Sequence, residues 1–463
     1  MRGGSERIED LLALRGLSSL RPRYPIERSL AAIESLGPEE SSRFLDAMRM
    51  RTLVAKRLDE LPDPSRAVRD CRAALSVKVD RLRHMHQVPA ANLNRLDELA
   101  TRLGRVFFGG KGIGAHATYT DQSVRDFNDL DIFVRTRQDA TALSRVLLDE
   151  FGYQYQGFEL PWFKFDELAR LCYGQIALVA PPGDPDLLNI DIHFGDYSVR
   201  HCARLGITQA FSKGSPGLGM LAPEENLACI VNNAAGDYFV TAKDTNDLLM
   251  ALSLPTFDVD RFAGLLRRSR LDSFFGFVAA TLRASTVLTE QQESRLRAIP
   301  TARTLEPAPR PDEAGWNRRC LGTTVHAFAV RRPAGLVPAF AAAAGAFSYY
   351  RRRFRLVLAP NGRSVDKPVR YNPWTCIRLV PLPLPLPLAL GLLGEPAGES
   401  AGEAAAPLPE RWSLVDDDPD FVRFDTPAGT YFRIEGEFFL ATVEYKLAPD
   451  VIRHVAGTAL RPR

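Results

Sequence analysis

Two aspartates separated by one residue, Asp129 and Asp131, stand in a strand-like run over residues 128–134. A strand directs alternate side chains to opposite faces, so both carboxylates share one face while Leu130 and Ile132 can enter a core on the other. Neighbouring carboxylates repel each other unless a cation lies between them. Because Mg²⁺ binds one or two carboxylates together with substrate phosphates, the pair indicates metal-dependent phosphate chemistry.

The spacing by itself is not specific, because the chain repeats it elsewhere. The other pairs are Asp184/Asp186, Asp258/Asp260, Asp416/Asp418 and Asp418/Asp420. Each of them lies beside turn-forming residues or outside an apolar run, where aspartate is favoured because its side chain bonds to the nearby backbone. Asp129 and Asp131 alone precede an apolar run and follow a glycine-rich turn, so they are the predicted site.

The glycine-rich turn lies in the run Val106-Phe107-Phe108-Gly109-Gly110-Lys111-Gly112-Ile113-Gly114. An apolar strand that ends in glycines and enters a helix presents backbone N–H groups, which commonly bind phosphate. The spacing of the glycines and the lysine fits neither the P-loop nor the dinucleotide-binding fingerprint. A tight strand-to-helix turn without a ligand explains these glycines equally well.

A second polar strand face is predicted over residues 188–194, where apolar and polar residues alternate strictly. Asn189, Asp191 and His193 share one face of this strand. His193 is interpreted as a hydrogen-bonded partner that orients the carboxylate rather than as a ligand. Between the two polar strands, residues 136–152 have the periodicity of a helix with Gly152 as its C-terminal cap.

The composition is that of an ordinary soluble protein of 463 residues with a formal net charge of +3, which does not favour long nucleic acids as partners. Its six cysteines are scattered, so we expect reduced thiols rather than a disulfide framework or a zinc site. The N-terminus lacks the apolar core of a secretion signal, and we expect a cytoplasmic protein. Residues 334–350 are apolar but short and contain Pro338, so no stable membrane insertion is predicted.

Taken together, several motifs resemble the nucleotidyltransferase fold of the DNA polymerase β superfamily. They are Lys111-Gly112, Tyr119, Arg125, Asn128-Asp129-Leu130-Asp131 and Asn189-Ile190-Asp191-Ile192-His193. The most similar branch has a Lys-Gly turn and an Arg-x-x-x-Asp-x-Asp strand and comprises uncharacterised nucleotidyltransferases. The resemblance covers about residues 75–255.

This resemblance, together with the residue patterns of the rest of the chain, predicts a fold class and a division of the chain. The fold would be α+β, with a polymerase β-type core of a small mixed sheet and helices, flanked by helical segments and followed by a small β-rich C-terminal unit. The predicted regions are a helical N-terminal region (1–105), a catalytic core (106–215), a helical domain that closes the site (216–300), a mixed region (301–375), a Pro-rich and Ala/Gly/Glu-rich linker (376–411) and the β-rich unit (412–463).

Within the linker, residues 379–388 carry proline at every second position. Proline fixes φ and lacks an N–H group, so this rhythm predicts an extended polyproline conformation and excludes a helix or the interior of a sheet. Residues 395–409 are predicted to be flexible. The C-terminal unit could bind a protein partner.

The resemblance also implies roles for single residues. Asp129 and Asp131 would hold two Mg²⁺ ions, with Mn²⁺ as an alternative, and Asp191 would complete one ion's ligands beside the attacking hydroxyl. Gly110, Lys111 and Gly112 would hold the β- and γ-phosphates. In-line attack on the α-phosphorus would then release pyrophosphate.

Two further nucleotide-binding residues are implied in the segment Lys243-Asp244-Thr245-Asn246-Asp247-Leu248. Lys243 would meet a phosphate and Asp247 would orient it, although the same spacing also fits an intrahelical Lys243–Asp247 ion pair on a surface helix. Arg125 would bind phosphate, or else pair with Asp126 or Asp129.

The predicted function is Mg²⁺-dependent transfer of a nucleoside monophosphate from a nucleoside triphosphate to a hydroxyl on a small molecule, a protein or an RNA end. A glycosyltransferase in which an Asp-x-Asp pair binds a sugar nucleotide is one alternative, although it should not need the third carboxylate, Asp191. A degenerate nucleotidyltransferase domain that only binds its ligand is another. The sequence does not distinguish the nucleotide or the acceptor.

Overall fold

The computed structural model describes residues 4–155, 162–166, 171–195, 205, 207, 211, 214–237, 239–269 and 271–301, and the strand segments 378–382, 413–414, 421–426, 429–434 and 437–442. The chain forms two compact units. The first comprises Met1–Gln154 and Leu178–Arg332, and the second comprises Tyr155–Ala177 and Pro333–Arg463.

The helices are α1 (Gly4–Arg15), α2 (Ile26–Leu36), α3 (Pro38–Ala47), α4 (Arg51–Asp59), α5 (Arg66–Met85), α6 (Pro89–Arg102), α7 (Lys111–His116), α8 (Arg137–Phe151), α9 (Pro223–Asp237), α10 (Ala242–Ser253), α11 (Val259–Arg268), α12 (Asp272–Ser285) and α13 (Glu290–Ala298). Helices α1–α6 lie within the region that the sequence predicts to be helical. In α8, Thr136 and Asp139 form a capping box at the start, and Gly152 at φ 70° ends the helix as predicted.

The strands are β1 (Val106–Gly110), β2 (Asp129–Val134), β3 (Gln154–Tyr155), β4 (Trp162–Asp166), β5 (Leu171–Val179), β6 (Asn189–Phe194), β7 (Gly217–Met220), β8 (Arg378–Leu382), β9 (Ser413–Leu414), β10 (Phe421–Thr426), β11 (Gly429–Ile434) and β12 (Glu437–Thr442). In the first unit, neighbouring strands follow the order β7-β1-β2-β6. β1 runs antiparallel to β2 and parallel to β7, and β2 runs parallel to β6. The sheet is therefore mixed, and the predicted α+β class is confirmed, whereas the polymerase β-type core stays a prediction.

Among the described residues of the first unit, apolar side chains form cores that include the following two. One lies among α1–α5 and includes Tyr119 and Ala242 from later in the chain. The other is formed mainly by α9–α13 together with Phe133 of β2. The Arg15 guanidinium of α1 donates hydrogen bonds to the carbonyl oxygens of Val240 (3.1 Å) and Thr241 (2.8 Å), just before α10. The N-terminal helices are thus joined to the same body as the strands with the aspartates.

In the second unit, β4 pairs with β5 and β8, and β8 pairs with β12. β11 pairs with β12 and β10, and β10 with β9, all antiparallel. The predicted polyproline conformation is wrong for residues 378–382, which form β8 with a strand on either side. Successive N–H groups of a strand point to opposite edges, so prolines at every second position remove donors from one edge only. The β4 contact involves Leu379, which precedes the first of these prolines, Pro381.

The other predictions for residues 334–350 and 395–409 lie outside the described residues, and the β-rich C-terminal unit is described only as separate strand segments. Within the part of the chain that the structure does describe, no helix has the length and apolar character needed to cross a membrane.

Candidate functional site

The pairing of β2 with β6 positions the acidic residues. The two strands are parallel, with Asp131 opposite Asp191 and Asp129 opposite Asn189. Leu130 and Ile132 of β2 are fully buried, as the alternation of the sequence predicts. The structure therefore brings two of the three predicted carboxylates side by side on one face of neighbouring strands.

Asp131, Asp191 and His193 form a cluster that could hold a metal ion. One potential ligand atom from each of the three lies within 4.8 Å of those of the other two. Asp131 and His193 are buried and Asp191 is half-buried. Two carboxylate oxygens and one imidazole nitrogen are suitable donors for a divalent cation. The cluster shares Asp131 and Asp191 with the ligands predicted from the sequence and has His193 in addition. Among the described residues this cluster does not include Asp129, which lies two residues earlier on β2.

Lys111 places its ammonium group against two of these potential ligands. Its Nζ lies 2.6 Å from Asp131 Oδ1 and 3.0 Å from His193 Nε2. The backbone of Lys111 has φ 45°, in the left-handed region that residues with a side chain rarely adopt. Such strain persists only where the surrounding structure enforces it, and it concentrates at functional sites.

The glycines on either side of Lys111, Gly110 and Gly112, are closely packed. A Cβ atom at Gly110 would lie 2.5 Å from the Phe133 ring, and one at Gly112 would lie 3.1 Å from Phe127 Cβ. Both glycines are buried. Close packing therefore accounts for these glycines, and their predicted contact with phosphates stays a prediction.

The charge of Asp131 is balanced within the protein. Burial by itself would raise the pKa of Asp131, but the Lys111 ammonium and a hydrogen bond with His193 outweigh burial and hold that pKa well below its ordinary value. Burial and the Lys111 charge lower the pKa of His193 to about 4. At neutral pH the Asp131 carboxylate is therefore ionised and the His193 imidazole is neutral, which are the states that bind metal ions.

The pKa of Asp129 is shifted in the opposite direction to that of Asp131. Burial and the negative charge of Asp131 raise the pKa of Asp129 to about 6, although Lys111, Lys243 and Arg49 act in the other direction. Three cations therefore lie near this carboxylate, on parts of the chain that are far apart in sequence.

Arg125 and Asp247 bind each other. The guanidinium donates from Nε (2.9 Å) and Nη2 (2.7 Å) to the two Asp247 oxygens, and both side chains are 1% exposed. The Tyr119 hydroxyl donates to Asp247 Oδ1 at 2.7 Å. Of the partners considered from the sequence, Arg125 reaches only the backbone carbonyl of Asp126 (2.5 Å). A direct role of these two side chains in nucleotide binding stays a prediction, and their geometry favours a positioning role.

Lys243 lies in the first turn of α10 and is half-buried. Burial and the nearby charges of Arg125 and Arg49 lower its pKa to about 8. Within the described ranges, no ion pair or hydrogen bond of its ammonium group is found, so the intrahelical pair with Asp247 is not formed.

Sequence reasoning missed Arg49, which lies between α3 and α4. Its side chain is exposed, and its backbone has φ 59°. A basic residue 80 positions before the aspartate pair gives no local signal, because only the tertiary fold brings the two regions together. A left-handed conformation at a residue other than glycine is visible in the structure alone.

The remaining Asp-x-Asp pairs that the structure describes form turns and helix caps, which confirms their interpretation from the sequence. Asp184 accepts a hydrogen bond from the Asp186 N–H (3.1 Å). Asp258 caps α11 by accepting from the Arg261 N–H (2.9 Å). The pairs within residues 416–420 lie outside the described residues.

No protein-family model matches the chain, and neither curated proteins nor solved structures give a match. The class of protein therefore has to be argued from the site itself.

Proposed function

We propose that this chain is a metal-dependent nucleotidyltransferase of the polymerase β type. It would transfer a nucleoside monophosphate from a nucleoside triphosphate to an acceptor hydroxyl and release pyrophosphate. The observation that supports the proposal most is the register of β2 and β6, which sets Asp131 beside Asp191 with His193 at the same cluster. Asp129 stands on the same strand, two residues before Asp131.

In this proposal Asp129, Asp131 and Asp191 hold two Mg²⁺ ions. When bound, the cations neutralise the phosphate charge and lower the cost of deprotonating the attacking hydroxyl. The neutral imidazole of His193 orients Asp131 through the 2.9 Å contact between Nε2 and Oδ1. Mn²⁺ would be the alternative cofactor, because it also binds carboxylate oxygens.

The other residues act by positioning and by charge. Asp191 is half-buried, and its carboxylate would accept the proton of the attacking hydroxyl. Lys111 balances the charge of Asp131 in the free protein and would bind a phosphate oxygen in the complex. The buried Arg125–Asp247 pair connects the segment before β2 to α10, which holds Lys243 near Asp129.

A binding module without catalysis is the second candidate, and one observation favours it. The Lys111 ammonium contacts both Asp131 and His193, and an ammonium group held there can take the place of a metal ion. Such a domain would bind a nucleotide without needing a divalent metal ion and without transferring any part of it.

Labelling with nucleoside triphosphates tests the proposal. The protein is incubated with each α-labelled nucleoside triphosphate, Mg²⁺ or Mn²⁺, and cell extract, beside Asp131→Asn and Asp191→Asn variants. A matched control is Asp184→Asn/Asp186→Asn, which alters an exposed pair of the same spacing. We expect transfer of label by the wild type and the control, and a loss of about 100-fold or more in the site variants.

Transfer that is equal in all variants would contradict the proposal. Metal-independent binding without transfer would favour the binding module. Transfer of sugar from a sugar nucleotide would favour a glycosyltransferase.

A further inference from the structure

We propose that Arg49, in the N-terminal helical region, binds the phosphate groups of the substrate together with Lys243. This inference rests on the proposed function, and it assigns the site that holds the polyphosphate end of the nucleotide. It also makes the N-terminal helices part of the substrate site rather than a separate region that precedes it.

A backbone contact places Arg49 beside the start of α10. The Lys243 N–H donates to the Met48 carbonyl oxygen at 3.1 Å, so the first turn of α10 lies against the residue that precedes Arg49. The Arg15 guanidinium donates hydrogen bonds to the carbonyl oxygens of the two residues before α10, Val240 and Thr241. The relative position of Arg49 and Lys243 is therefore fixed by hydrogen bonds of the main chain.

A second contact places Arg49 beside the strand with the aspartates. The Asp126 carboxylate accepts hydrogen bonds from the backbone N–H groups of Arg51 (2.6 Å) and Thr52 (3.2 Å) at the start of α4. Asp126 lies three residues before Asp129. The turn that contains Arg49 is thus held between the segment before β2 and the start of α10.

Two arginines near Arg49 form ion pairs with carboxylates, whereas Arg49 forms none with the residues that the structure describes. Arg51 pairs with Asp46 at 2.5 Å, and Arg43 pairs with Glu39 at 2.9 Å. In the region that the structure describes, neither the Arg49 guanidinium nor the Lys243 ammonium has an ion pair or a hydrogen bond. The two charges also oppose each other, since Arg49 contributes to the lowered pKa of Lys243. An anion between them would relieve this repulsion, and a phosphate group has the charge and oxygen acceptors to do so.

The backbone of Arg49 supports a role for its side chain. At φ 59°, glycine would be accommodated without the steric cost that a Cβ atom brings. If the turn were needed only to connect α3 and α4, glycine would serve better. A long cation in a strained conformation, near Asp129, is typical of a ligand contact.

The Arg49→Gly variant distinguishes a loss of nucleotide binding from a loss of folding stability. We expect Arg49→Gly to bind a non-hydrolysable α,β-methylene nucleoside triphosphate with Mg²⁺ about tenfold more weakly in titration calorimetry, because a charge-assisted contact is lost. Its melting temperature should stay the same or rise, because glycine relieves the backbone strain. Arg43→Ala, which removes an exposed arginine of α3, should change neither quantity.

Arg49→Asn is the second variant, because asparagine tolerates the left-handed conformation and keeps a side chain. Wild-type affinity in either folded variant would overturn the role of Arg49 while the proposed function stands. If the wild type itself binds no nucleoside triphosphate with Mg²⁺ or Mn²⁺, the proposed function fails and the inference fails with it. Weaker binding combined with a lower melting temperature in both variants would indicate a structural role and would also overturn the inference.

Discussion

At Asp131, a lysine and a divalent cation would use the same atoms. Asp131 Oδ1 and His193 Nε2 both contact Lys111 Nζ, and both are potential metal ligands. A metal ion that binds Asp131 would therefore have to displace the Lys111 ammonium group. Lys111 would thus limit how strongly the proposed site binds a metal ion in the free protein.

Removing this ammonium group should strengthen metal binding. In Lys111→Met, a side chain of similar length lacks the charge that competes for Asp131, so we expect the affinity for Mn²⁺ without nucleotide to rise about tenfold. Nucleotidyl transfer should fall, because the same lysine is proposed to bind phosphate. Mn²⁺ titration followed by electron paramagnetic resonance measures the affinity, with Lys56→Met at an exposed surface pair as the control. Unchanged or weaker Mn²⁺ binding would show that Lys111 supports the site instead of competing for it.

A buried histidine should make stability depend on pH. Burial, with the charges of His86 and Arg125, lowers the pKa of His116 from 6.5 to about 4. The unfolded chain therefore binds a proton at His116 before the folded protein does, and stability should fall as the pH drops from 6.5 towards 4 but not change through this group above 6.5.

Urea unfolding at several pH values measures this effect. We expect the free energy of unfolding to decrease less steeply with falling pH in His116→Phe than in the wild type. Phenylalanine keeps the ring contact with Phe127 but cannot be protonated. His84→Gln, on a partly exposed surface, should follow the wild type. An unchanged slope in the His116 variant would mean that other groups cause the pH dependence.

Among the secondary-structure elements, α10 is joined to the segment before β2 by a buried ion pair. Arg125 and Asp247 are separated by 122 residues and form a bidentate pair that water does not reach, with the Tyr119 hydroxyl as an additional donor. Removal of one partner leaves a charge in the protein interior, which is far more destabilising than loss of an exposed pair.

We expect Asp247→Ala to lower the free energy of unfolding by about 3–5 kcal/mol. Glu39→Ala, which breaks the exposed pair with Arg43, should lower it by less than about 1 kcal/mol. Chemical denaturation of both variants provides the comparison. A small change in Asp247→Ala together with a large loss of nucleotide affinity would instead assign Asp247 directly to the ligand.

The elements that the sequence predicts are those with strong local signals. The alternation of residues 128–134 and 188–194 predicted β2 and β6, and the cap at Gly152 predicted the end of α8. β7 was not predicted, because Gly217–Met220 is only four residues long and half of them are glycine. β8 was predicted wrongly, because local proline chemistry does not reveal which edge of a strand must donate hydrogen bonds.

The candidate site was predictable where its residues lie on adjacent strands. Alternation put Asp131 and Asp191 on polar faces, and the structure brings those faces together. The ion pair of Arg125 with Asp247 and the position of Arg49 depend on helices that meet only in the folded chain, so spacing along the sequence could not show either.

For the molecule as a whole, the first unit joins the N-terminal helices, the mixed sheet and helices α9–α13 around one group of charged residues. Asp129 on β2 lies near cations contributed by three regions: Lys111 after β1, Lys243 at the start of α10 and Arg49 after α3. The whole unit is therefore needed to complete the proposed site, since no single region supplies the carboxylates together with all three cations.

The central claim is that Asp131 and Asp191, beside His193, bind a divalent metal ion when nucleotide is present. Anomalous diffraction from crystals of the protein grown with Mn²⁺ and an α,β-methylene nucleoside triphosphate tests it most directly. We predict an anomalous peak roughly 2.1–2.3 Å from oxygen atoms of Asp131 and Asp191. Lys111 should have moved from Asp131 towards the phosphates. Nucleotide bound with no peak between these carboxylates, and Lys111 still on Asp131, would contradict the account.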